Sequence, residues 1–201
     1  MSLLRLFCLA LLRVVASGVD FIWLCTRPVL LMWWWAAKRL PTYATAAADH
    51  GDDVYGDVFV APTAALLRGC GARAGVVVVD VGCGAGHVLI AARSVGATAR
   101  GVELDGARTL PQHARAAGAD VVVVDGADVD YGDANIVWCS WLTWSAPTRA
   151  ALTARLKSSM ASRALLVTLG YAPDGDAFEP IARTTIWCSW GRADVVISRR
   201  R

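Results

Sequence analysis

VVVVDVGCGAGHVLIAA, residues 76–92, decides how this chain folds. Four consecutive valines have the composition of a strand buried on both faces, and the apolar run after the glycines has helical spacing. Between them stands Asp80-x-Gly82-x-Gly84-x-Gly86. Glycine allows positive φ and lets a ligand approach the backbone closely, so a strand–glycine loop–helix unit is built to hold a nucleotide-like molecule. A dinucleotide held by its phosphates and an adenosyl cofactor held by its amino acid and ribose both fit that outline.

Two features separate them. The dinucleotide fingerprint G-x-G-x-x-G, counted from Gly82, requires a third glycine at 87, where the chain has His87. A carboxylate at 80 would repel a pyrophosphate, whereas it can anchor a cationic α-amino group. Glu103 ends the next expected strand and is placed to accept both hydroxyls of a ribose. Asp125 ends the third strand on the same edge, within reach of an adenine amino group. Cys83, inside the loop, joins this cofactor-binding set.

Outward from the loop, apolar strands alternate with helices. Strands are expected at 76–81, 98–104, 119–125, 135–140 and 164–169, with helices at 62–70, 85–95, 106–117 and 147–158. That alternation predicts an α/β fold with a parallel sheet covered on both faces. Two further strands, 182–190 and 193–199, read as an antiparallel hairpin turning at Gly191-Arg192. VVVVD and WCSW each occur twice without any shared repeat between the copies, so they read as separate buried strands.

The bulk composition bounds the answer. With 201 residues there is room for one domain and an appendage, and the formal net charge is only +3. Nucleic acid is therefore not the expected partner, and the arginines at 199–201 read as a solvated tail. The six cysteines (8, 25, 70, 83, 139, 188) form no C-x-x-C pair and no zinc-spaced cluster, which predicts reduced thiols and no metal.

Residues 1–39 differ from the rest. Up to Ala37 the only charges are Arg5, Arg13, Asp20 and Arg27, which on a helix fall on one stripe about 80° wide. Pro28 should end or kink that helix, and Trp33, Trp34 and Trp35 then precede Lys38 and Arg39, a composition suited to a membrane–water interface. We favour a membrane-associating segment, spanning or lying in the interface. A mitochondrial presequence ranks next and a helix packed on the following domain last, while Arg13 interrupts any secretory signal. A linker at 40–54 would join this segment to a domain at 55–201. The expected location is an intracellular membrane, with the mitochondrial membrane ahead of the nucleus.

The glycine loop, Glu103 and the terminal hairpin together resemble the S-adenosylmethionine-dependent methyltransferase superfamily. That resemblance implies a Rossmann-like, seven-stranded class I sheet, parallel with a terminal antiparallel hairpin, and S-adenosyl-L-methionine as cofactor. Cys139-Ser140-Trp141-Leu142, after the fourth strand, lacks both the Asn/Asp-Pro-Pro-aromatic motif of enzymes that methylate amino groups of DNA, RNA and glutamine and the Pro-Cys of base C5-methylation.

Other stretches are similar to non-SET protein lysine methyltransferases. Tyr55-Gly56-Asp57 with Pro62-Thr63, DANIVWCSWLTW (133–144) and SWGRADVVISRR (189–200) resemble the disruptor-of-telomeric-silencing family, which methylates a core lysine of a histone. FVAPTAALLRGC with the glycine loop is also similar to mitochondrial ATP-synthase c-subunit lysine methyltransferases, which carry an N-terminal hydrophobic segment. The resemblance adds Tyr55 and Asp57 to the cofactor set and implies a protein substrate with an accessible lysine. Ser140, Trp141 and Trp144 become the acceptor-channel candidates. Asp57, Asn135 and Ser140 replace the family's glutamate, aspartate and asparagine. A small-molecule or lipid methyltransferase at a membrane, and a cofactor-binding but inactive protein, are the alternatives. His87 is expected to start a helix, and Trp187 and Trp190 to lie in the core.

Overall fold

The computed structural model describes the backbone of residues 3–37 and 57–201; within the first helix the described side chains are Leu11 and those from Val14 onward. Seven strands form one sheet: β1 (Val77–Val81), β2 (Thr98–Glu103), β3 (Ala119–Val123), β4 (Ile136–Cys139), β5 (Leu165–Leu169), β6 (Phe178–Cys188) and β7 (Gly191–Arg200). Their order is β3-β2-β1-β4-β5-β7-β6. The first five pair in parallel, whereas β7 runs antiparallel between β5 and β6. The sheet expected from the sequence is thus the one observed. Strand order reverses between β1 and β4, which opens a crevice at the carboxyl ends of the strands.

Helices cover both faces. On one side, α3 (Val60–Gly69), α4 (His87–Ser94) and α5 (Pro111–Ala116) pack on the sheet, joining Leu67, Val88 and Ala114 to Val78 and Trp138 in one buried cluster. On the other, α6 (Ala146–Ser159) presses Leu152 and Leu156 onto Val79, Val81 and Val137. Alternation along β1 therefore sends Val78 and Asp80 to the α4 side, which is why an acid can stand at the loop while its neighbours fill the core.

Two more helices lie outside α3 and α4. α1 (Leu3–Leu24) and α2 (Pro28–Ala37) meet at Pro28, which takes the first position of α2 instead of kinking one long helix. Leu24, Leu30, Trp33 and Trp34 belong to the same buried cluster as the sheet. Truncating either indole to alanine would cost about 3–5 kcal/mol. The contact is anchored by Asp20, fully buried, whose carboxylate accepts the amides of Val60 at 3.1 Å and Ala61 at 2.8 Å. Those are orphan donors at the start of α3, where Phe59 offers no side-chain cap.

The transmembrane reading of this segment needs correction. Among the described residues no helix is long and apolar enough to cross a membrane. The linker expected at 40–54 lies outside the described residues, as does Tyr55.

Other expectations shift for local reasons. The helix expected at 106–117 breaks into a 3-10 turn, Gly106–Arg108, and the short α5, which Pro111 opens. The hairpin turns at Ser189-Trp190, not at Gly191-Arg192, since Cys188 pairs with Gly191. Trp187 is 48% exposed on the edge strand and is not core, whereas Trp190 packs partly buried against the cluster. Nor are the final arginines a solvated tail. Arg199 and Arg200 lie in β7, and the Arg200 guanidinium donates to the Lys157 carbonyl at 2.7 Å.

Candidate functional site

Three strand ends converge on a cavity of about 510 Å³ at the switch point, a size typical of small-molecule sites. Asp80 from β1, Glu103 from β2 and Asp125 after β3 all line it. The glycine loop meets it through Gly82 and Cys83, and Gly82, Gly84 and Gly86 have φ of 74°, 47° and 90°, values that a side chain would strain.

Glu103 holds the loop in place. Its Oε2 accepts the Gly84 amide at 2.8 Å and its Oε1 the Asp105 amide at 3.2 Å. A carboxylate has about four lone-pair sites, so this side chain, 7% exposed, keeps acceptor capacity for the cavity. Asp125 is exposed and accepts the Ala127 amide at 2.9 Å, capping the turn at Gly126–Asp128.

Asp80 is arranged differently. It is 2% exposed, and its Oδ1 has no hydrogen-bond partner. Burial first, and the nearby charge of Glu103 second, hold its carboxyl well above the usual aspartate range. An unpaired acid beside a second acid is costly in an empty cavity and is relieved by a cation entering it. Two acids on the wall, Asp80 and Glu103, make that end of the cavity a better place for a cationic group than for a pyrophosphate.

Two indoles also press on the loop. Trp33 of α2 lies 2.4 Å from where a Cβ on Gly86 would stand, and Trp144 lies 2.9 Å from the corresponding position on Gly82. Gly86 is thus glycine because an indole is seated on it, not because it lines the cavity. Gly84 likewise contributes its amide to Glu103 without lining the space. Cys83 does line it, with its thiol pushed well above the ordinary range by burial.

Of the acceptor-channel candidates, Ser140 and Trp144 line the cavity. Ser140 Oγ accepts the Trp138 indole N–H at 2.9 Å. Trp141 does not line it: the ring is 1% exposed, packs in the α6-side core and donates to the Tyr171 carbonyl at 2.9 Å. Cys139 is fully buried among apolar groups, and its thiol is raised by that burial, so it is no nucleophile.

The structure adds a pairing that sequence reasoning missed. His87, at the start of α4, lines the cavity with its Nδ1 3.1 Å from Asp57 Oδ1. Asp57 is held by the hairpin tip, where its amide donates to Ser189 Oγ at 3.1 Å and its carbonyl accepts the Ser189 amide at 2.8 Å. Arg149, on α6, stacks over Tyr171 with 4.3 Å to the ring centroid. None of these three pairs carries a sequence signal, because their members are 30, 22 and 132 residues apart.

Known structures share this architecture. Magnesium protoporphyrin IX methyltransferase from Synechocystis PCC 6803, crystallised with bound SAH, superimposes with a TM-score of 0.56 at 16% identity, covering 71% of this chain and 81% of that one. An RNA methyltransferase from Salinibacter ruber, in complex with S-adenosyl-L-homocysteine, gives 0.56 at 18%, covering 69% and 90%. The fold is that of the S-adenosylmethionine-dependent class I methyltransferases. TrmN from Thermus thermophilus gives 0.57 at 16% and covers 82% of this chain, though only 53% of its own. No family model and no curated protein sequence matches this chain.

Proposed function

We propose that the protein transfers a methyl group from S-adenosyl-L-methionine to an amine, the acceptor being a lysine side chain of a protein. The observation that carries the cofactor reading is the buried Asp80 carboxyl with its unpartnered oxygen, beside Glu103 on the cavity wall. The residues fit the cofactor: Asp80 would hold the cationic amino acid portion, Glu103 has lone pairs left that would accept the ribose hydroxyls, and Asp125, on the same cavity, would accept from the adenine amino group. Tyr55 and Asp57 join that set through the family resemblance. The bound cofactor supplies an electrophilic methyl on a sulfonium; the chain supplies position and electrostatics.

The acceptor side supports an amine. Trp144, Pro147, Ala151 and Leu152 make one wall of the cavity largely apolar, and apolar surroundings favour the neutral amine that must attack. The Trp144 ring can face an alkylammonium, and Ser140 adds a hydroxyl to the same lining for orienting it. Radioactive methyl transfer into a cell extract tests the proposal. A labelled protein band supports the lysine acceptor, an organic-soluble product redirects it to a lipid or small molecule, and no label with intact cofactor binding makes the protein an inactive binder.

A further inference from the structure

We infer that His87 receives the α-carboxylate of the cofactor and makes the site selective for a ligand with its amino acid intact. This role rests on the cofactor reading above, which leaves one charged group of the ligand without a partner. The amino acid portion is a zwitterion, so a wall of acids suits its ammonium and repels the carboxylate on the same carbon. Asp57, Asp80, Glu103, Asp105 and Asp125 all line the cavity. A complementary cation is needed among them.

Two basic side chains line the cavity among the described residues, Arg108 and His87. Arg108 is engaged: its Nε lies 3.4 Å from Asp105 Oδ2, in the turn that follows β2 and Glu103. His87 stands at the amino acid end. It opens α4 while Asp80 ends β1, so the two bracket the glycine loop and line the cavity from either side of it. That is the arrangement a zwitterion requires.

The imidazole is built into this position. It is 4% exposed, its Nδ1 lies 3.1 Å from Asp57 Oδ1, and its Nε2 has no hydrogen-bond partner. Asp57 is fixed in turn by Ser189, through backbone bonds in both directions. A buried nitrogen without a partner costs free energy until a ligand engages it. With Nδ1–H directed at Asp57, the Nε2–H of an imidazolium can donate to a carboxylate, a charge-assisted bond. The backbone has the same polarity here. Gly86 gives α4 no side-chain cap, and first-turn amides have no acceptor inside a helix, so the positive end of α4 adds to the imidazole.

Calorimetric titration of the full chain tests the role, comparing S-adenosyl-L-homocysteine with S-adenosyl-3-thiopropylamine, the same molecule less its carboxyl. Wild type should bind the first about 10–100-fold more tightly, and His87→Ala should close that gap. A gap that persists in His87→Ala overturns the inference while leaving the cofactor reading intact. So does full affinity for S-adenosyl-L-homocysteine in a variant that has lost turnover, which would make the imidazole a base for the acceptor. Wild type that binds neither compound overturns both readings. A measurement on wild type guards against a variant that fails to fold. In side-chain nitrogen NMR spectra of the three histidines, assigned with His50→Gln and His113→Gln, the His87 ring should shift with S-adenosyl-L-homocysteine and far less with the amine. Equal shifts with the two ligands count against the role.

Discussion

Asp20 and Asp80 are both aspartates with almost no exposed surface, 0% and 2%, and they do opposite things. Asp20, on the N-terminal helices, accepts two backbone amides of α3 and fixes one part of the chain to another. Asp80, at the cavity, has an oxygen with no partner and a carboxyl held above its ordinary range. A buried acid with its acceptors filled contributes to folding, whereas one left open costs folding free energy and makes a place for a cation. The pair separates the scaffold from the site on physical grounds alone.

Substitution can break that contrast. The largest effect is expected for Asp20→Ala, which strips two α3 amides of their acceptor. Hydrogen bonds to a charged group contribute about 1.5–3 kcal/mol each, so a loss on the order of 3 kcal/mol should appear in thermal unfolding. Glu103→Ala should lower cofactor affinity by about 100-fold in calorimetric titration, since the ribose acceptor and the loop's anchor go together. Unchanged affinity would count heavily against the cofactor site.

Gly86→Ala sharpens the link between the two regions. At φ 90°, with Trp33 2.4 Å from the new Cβ, it should destabilise the chain by about 1–3 kcal/mol. The double variant Gly86→Ala/Trp33→Ala should show non-additive losses, which a double-mutant cycle would measure.

The smallest effect has the reverse sign. Asp80→Asn should raise the melting temperature of the ligand-free protein at neutral pH, by about 2–4 °C per kcal/mol gained, while weakening cofactor binding about 10-fold. The direction follows from linkage. A carboxyl whose folded pKa is raised binds its proton more tightly in the native state, so its contribution is present below the ordinary aspartate range and lost as pH rises through the folded value. Wild type should therefore lose stability from acid toward neutral pH relative to Asp80→Asn. Parallel pH profiles for the two proteins would refute the buried-acid reading.

Local pattern made the sheet legible. The valine runs, the glycine loop and the spacing to Glu103 were readable because strand composition, loop conformation and strand-end position are set by neighbours in the chain. Boundaries slipped where a proline or a turn had several local solutions, as at Pro111 and at Ser189-Trp190. Trp141 and Trp144 were indistinguishable as candidates. They are three residues apart on one short segment, and only packing sends the first into the core and the second onto Gly82.

By itself the sequence determined the α/β sheet, the acids at the ends of β1 and β2, and the unusual apolarity of the first 39 residues. Tertiary structure alone decided that Asp20 caps a helix 40 residues away, that His87 meets Asp57, and which side of α1 faces outward. The reason is range. Hydrophobic period and glycine φ are properties of a few adjacent residues, but which polar group meets which, and which apolar face finds no partner, are settled only when distant segments pack.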